Sequence, residues 1–116
     1  FTIQQIADLA TNTGTLGYTV YSGIISQATT AAPTVTVLQN TITGTMTWAR
    51  TGAGVYTLTN SGTPFTNLKT LVFINGGSVA GSVVEWEETS TSIVTIKTGG
   101  ADTKMTKGAI EIRVYS

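Results

Sequence analysis

Ala109-Ile110-Glu111-Ile112-Arg113-Val114-Tyr115 alternates apolar and polar residues without a break. On an extended chain successive side chains project to opposite faces, so Ile110, Ile112 and Val114 share one side and Glu111, Arg113 and Tyr115 the other. A stretch of this kind is a strand with one face on a core and one face turned out. Working back along the chain, similar runs cover Gly17–Ala28, Thr34–Gln39, Gly44–Arg50, Gly54–Asn60, Leu68–Asn75, Ser82–Glu88 and Ser92–Lys97. The breaks between them are turn chemistry: Ala32-Pro33, Thr51-Gly52-Ala53-Gly54, Asn60-Ser61-Gly62-Thr63-Pro64, Asn75-Gly76-Gly77 and Thr98-Gly99-Gly100-Ala101-Asp102. About eight short strands at this spacing predict an all-β fold, an antiparallel β-sandwich of jelly-roll-like form.

Composition agrees. The 116 residues include 25 Thr, no Cys and no His. Thr is stiff at χ1 and fits a pleated surface, so neutral hydroxyls hold positions that charges fill in most domains. Charged residues are 10% of the chain and the net charge is zero, against roughly 25% charged in an average domain. Without a basic patch, no nucleic-acid partner is expected. No apolar run reaches the roughly 18–20 residues of a membrane-spanning helix, so no membrane insertion is expected. A Cys-free small domain is not a disulfide scaffold, which points to a bacterial or viral extracellular protein. Zero net charge protects poorly against self-association, and low charge makes sense if much of the surface is covered in an assembly.

The first 16 residues read differently. Ile3, Ile6 and Leu9 recur at helical spacing in a segment that closes on Asn12-Thr13-Gly14-Thr15. Residues 1–16 therefore divide from the sandwich of 17–116 as a short helical or extended connecting segment. It either packs on the domain or forms the end of an oligomeric stalk, with Ile3, Ile6 and Leu9 near the interface. A chain starting at Phe1 without Met is expected to be a trimmed piece.

Candidate chemistry is sparse. Without His or Cys there is no imidazole base, thiol nucleophile or Cys/His zinc site, and no enzyme activity, cofactor or metal is expected. The densest cluster is Glu85-Trp86-Glu87-Glu88. Glu85 and Glu87 share one strand face, as a carboxylate pair for sugar hydroxyls or calcium, with Trp86 as a stacking surface opposite. The plainer reading is a solvated face with a buried Trp and a cross-strand pair from Glu87 or Glu88 to Lys97. Tyr18, Tyr21 and Tyr115 are candidates for exposed contacts. Arg113 reads as a surface or interface pair with Glu111, and Asp102, Lys104 and Lys107 as a variable contact loop. Val35, Val37, Trp48, Leu71, Phe73, Ile96, Ile110 and Ile112 are expected in the core. The run Leu71-Val72-Phe73-Ile74 suggests a strand covered on both sides.

The landmarks Tyr18, Tyr21, Gln27, Ala32-Pro33, Trp48, Arg50, Gly54, Tyr56, Glu111, Arg113 and Tyr115 form a pattern over residues 17–115. It resembles the small β domains of structural proteins in tailed bacteriophages, especially phages of Bacteroidetes-type hosts. The resemblance rests on strand landmarks and carries no catalytic residue. It implies a virion or extracellular module: a capsid decoration, head fibre or fibre tip. Its partners would be copies of itself, expected as a trimer, other virion proteins and a host-surface glycan. The reading from a different class is a monomeric carbohydrate-binding or adhesin domain of a bacterial surface protein.

Overall fold

The computed structural model describes residues 17–78 and 83–116, and the segment carrying Ile3, Ile6 and Leu9 lies outside them. The described chain is all-β: β1 (Tyr18–Ser26), β2 (Thr34–Asn40), β3 (Met46–Gly52), β4 (Val55–Asn60), β5 (Thr70–Ile74), β6 (Glu85–Ser90), β7 (Ile93–Lys97) and β8 (Gly108–Tyr115). Each falls within or beside a run expected from alternation. The strands form two four-stranded antiparallel sheets, the first in the order β2-β1-β8-β5 and the second in the order β3-β4-β7-β6.

The hairpins β1–β2, β3–β4 and β6–β7 stay within a sheet, and the other four connections cross between sheets. The sandwich is wound by its last strand, which returns to lie between β1 and β5. In the first sheet Tyr21, Ile25, Val72, Ile110, Ile112 and Val114 face inward; in the second, Tyr56, Leu58, Val94 and Ile96 meet them. Ile42, Phe65 and Met105 come from connections and are as buried as the strand residues. Burying each such side chain contributes about 1.5–3 kcal/mol. The indole N–H of Trp48 on β3 donates to the Tyr21 hydroxyl on β1 at 3.1 Å, a polar tie between the sheets.

Two glycines are demanded by close approach. Gly23 sits at a register shift in the β1–β2 pair, where a Cβ would collide with the Val35 side chain and the Thr36 carbonyl. Gly54 has φ +66° in the β3–β4 turn, and a Cβ there would lie 2.6 Å from the Ala101 nitrogen. The β3–β4 turn is thereby pressed onto the β7–β8 loop.

Part of the expected core is elsewhere. Ile96, Ile110 and Ile112 are fully buried, and Val35 and Trp48 are half-buried against the core. Val37, Leu71 and Phe73 are exposed, Phe73 by 51%. The run 71–74 lies on an edge strand paired only with β8. Alternation there turns Val72 inward and puts Leu71 and Phe73 on the outer face, beside Arg113 and Glu111.

Candidate functional site

The outer face of the first sheet gathers most of the exposed apolar side chains. Ile24 on β1, Leu38 on β2, Leu71 and Phe73 on β5 and Tyr115 on β8 are all exposed. The outer face of the second sheet is instead a field of Thr. Thr47 stands opposite Thr59, and Thr57 lies between Ala49 and Thr95. One sheet thus presents hydrocarbon and aromatic surface, the other mostly Thr hydroxyls with Glu85, Glu87 and Lys97 at its β6 side.

The apolar face has an organised centre. Arg113 lies with its guanidinium carbon 4.9 Å from the Tyr18 ring centroid and 5.0 Å from that of Phe73, at cation–π range for both. Its Nε donates to Glu111 Oε2 at 2.6 Å. This bond to Glu111 raises the Arg113 pKa further above its already high ordinary value. The Tyr18 and Tyr115 rings meet at 5.1 Å. The pair leaves the centre of this face near neutral, framed by three rings.

Beside this centre a groove of about 730 Å³ crosses the sheet. It is lined by Ser22, Ile24, Leu38, Phe73 and Glu111 from the first sheet and by Val84 and Trp86 before and on β6. Its volume falls in the usual range for small-ligand sites, but it is open to solvent and its lining is about as polar as it is apolar. The lining offers the Trp86 and Phe73 rings for stacking and Ser22, Asn75 and the Glu111 carboxylate for hydrogen bonding.

The candidates from sequence separate. Trp86 is 37% exposed and lines the groove. Glu85 and Glu87 project from the opposite face of β6, opposite Lys97 and Thr95, and Glu87 pairs with Lys97 at 3.5 Å. Both partners are half exposed, so the pair contributes roughly 0–1 kcal/mol. Among the described residues no three acidic side chains come together as a metal-ligating group. Tyr18 is at the surface, but Tyr21 is buried to 2% exposure against Trp48 and is no contact residue. Burial pushes the Tyr21 hydroxyl pKa up.

Sequence reasoning missed a polar clamp at one end of the sandwich. Asp102, expected in a variable loop, accepts from Arg50 Nε at 3.1 Å and Nη2 at 2.9 Å, and from the Gly54 N–H at 3.2 Å. The Tyr56 hydroxyl lies 2.6 Å from Asp102 Oδ1 and 3.0 Å from Gln27 Oε1. Its single proton goes to the carboxylate, the nearer and charged acceptor. Gln27 Oε1 also accepts the Thr103 N–H, and its amide donates to the Thr29 and Ala31 carbonyls. Arg50, then Tyr56, holds the Asp102 carboxyl well below the usual carboxylate range. Burial, then the Asp102 bond, pushes Tyr56 up to about 12. Every strong acceptor here is engaged, which suits a lock and leaves little for a ligand. The clamp ties β1, β3, β4 and the β7–β8 loop together. Gln27, Arg50, Gly54 and Tyr56 all stood out as landmarks, but nothing in the sequence connected them to Asp102.

No family model, no curated protein and no solved structure matches this chain.

Proposed function

We propose that this chain is a non-enzymatic structural and interaction module of a bacteriophage particle: a capsid decoration, head fibre or fibre head that assembles with copies of itself and with other virion proteins. The observation that carries the reading is the segregation of exposed apolar side chains onto one sheet. Ile24, Leu38, Leu71, Phe73 and Tyr115 belong to strands of the first sheet, and the second turns Thr outward. Large apolar patches on a soluble domain mark contact surfaces. The run Leu71-Val72-Phe73-Ile74 fits the same account, because its pattern asks for cover on both sides and the single chain covers one. Zero net charge and the tight clamp suit a durable part of an assembly that works outside cells.

Self-assembly into a trimer would bring three N-termini onto one axis, as a stalk requires. Multi-angle light scattering at micromolar concentration tests the reading. A defined oligomer is expected; a strict monomer at every concentration would promote the second reading.

That second reading is a carbohydrate-binding or adhesin domain, favoured by the groove that joins Trp86 and Phe73 to Ser22 and Glu111. Aromatic rings beside a few hydrogen-bonding groups suit a neutral sugar of a host-surface glycan. Glu85 and Glu87, on the far side of β6 from Trp86, have no part in that groove.

A further inference from the structure

We infer that β2 is the strand through which two copies of this chain join, edge to edge and antiparallel, into one eight-stranded sheet. The inference rests on the self-assembly reading above and assigns it a surface. β2 lies at the margin of the first sheet with β1 on one side only. On its other side its backbone N–H and C=O groups face away from the sheet, the standing invitation of any edge strand. Natural edges are guarded by charge, proline, brevity or a bulge. Thr34-Val35-Thr36-Val37-Leu38-Gln39-Asn40 has seven residues, no charge and no proline, and its one register shift, at Leu38, leaves Thr34–Val37 regularly paired. By contrast the β6 edge carries Glu85, Glu87 and Glu88, which would repel a second copy of itself.

The residues of β2 fit themselves. A two-fold axis through Thr36 sets Thr36 opposite its own copy and Val35 opposite Val37, both before the register shift that separates Val37 from Gln39, and Thr34 opposite Leu38 at that shift. No like charges meet, and each pairing joins residues of the same face, because opposed positions differ by an even number. A two-fold perpendicular to the sheet keeps the outer faces on one side, so Leu38 and Ile24 of both copies form one apolar stripe. On the inner side Val37, 50% exposed, gains the cover that its own sandwich does not provide. Leu38, 68% exposed, is covered from the other side. The occupant is thus a second copy, chosen by a neutral, self-complementary edge with apolar residues on both faces.

The test uses the full chain and two variants, Val37→Lys and Leu38→Lys, on opposite faces of β2. Both sites are exposed in the single chain, so either variant can be checked for fold by circular dichroism. Each is expected to raise the dissociation constant of the paired species by about tenfold or more, since the variant sets two lysines on the strands that meet. Thr57→Lys on the other sheet should leave it unchanged. Hydrogen exchange should show β2 amides protected at high concentration and released on dilution. An oligomer indifferent to both lysines, with β2 amides unprotected, overturns β2 pairing and leaves self-assembly standing. A strict monomer overturns both. A monomer whose β2 amides stay protected at every dilution overturns the pairing by showing that the chain covers its own edge.

Discussion

Single residues separate depth from mere hydrophobicity. Phe65 and Phe73 are the same side chain in opposite situations: Phe65 is fully buried at the end of the core, and Phe73 lies half in solvent under Arg113. Phe65→Ala is expected to cost about 3–5 kcal/mol, the cost of a lost aromatic plus its cavity. Phe73→Ala should cost less than about 1 kcal/mol, as for other surface sites. Urea unfolding of both variants checks the contrast, and equal losses would put Phe73 in a core. Leu68 shows the reverse economy. It is 93% exposed and holds φ +61°, a left-handed conformation that disfavours a β-carbon. Leu68→Gly relieves roughly 1–2 kcal/mol of strain against a backbone-entropy cost of about 0.5–1. A net gain of about 0.5–1 kcal/mol is expected in the same unfolding assay, and a loss would mean that Leu68 makes contacts hidden from a single chain. Residue types alone read badly at this scale. Phe65, Ile42 and Met105 sit in connections with no periodicity to announce them, yet they plug the core.

At the scale of elements the sequence was legible wherever a period of two ran long enough to register. All eight strands sit within or beside the expected runs, and β4 and β8 show the cause most plainly, since one buried face makes their alternation. β2 and β6 bury no residue on either face and were placed by residue type and turn residues alone. Lateral order was not legible. Nothing local to Leu71–Ile74 distinguishes an edge strand from a central one, and the misplacement of Leu71 and Phe73 follows from that. The clamp was hidden for the same reason, since Asp102 meets Gln27, Arg50 and Tyr56 only once two sheets and a loop are assembled. It makes the fold's pH limits specific. Asp102 has a depressed pKa when folded, so the unfolded chain takes up its proton first. Its stabilisation is present above the ordinary carboxylate value and is lost as pH falls from about 5 towards its folded value. Tyr56 is raised from 10.0 to about 12, so its contribution is present below pH 10 and is lost between 10 and about 12. The alkaline loss is on the order of 2–3 kcal/mol. Melting temperature against pH should therefore be flat near neutrality and fall at both ends. Asp102→Asn should flatten the acid limb. Tyr56→Phe should shrink the alkaline one and leave a remainder from Tyr21, whose pKa is also raised. A profile unchanged in both variants would mean the clamp does not form. Gly23→Val should weaken the β1–β2 pair by about 1–3 kcal/mol through overpacking against Val35 and Thr36, read as a lower urea midpoint.

The whole molecule is a sandwich with unlike faces: Thr on one side, hydrocarbon, rings and a paired Arg113–Glu111 on the other. Low charge was visible in composition and pointed to covered surface. The strand order adds where such cover would lie, since it brings the exposed Ile24, Leu38 and Phe73 onto one sheet. Hydroxyl-radical footprinting of the full chain, concentrated and then diluted below its association threshold, tests the assembly account most directly. The account predicts that Ile24, Leu38 and the first sheet's β2 margin label weakly when concentrated and strongly when diluted, while Val55 and Ile93 on the second sheet label equally in both. Equal labelling of Ile24 and Leu38 at every concentration would contradict it.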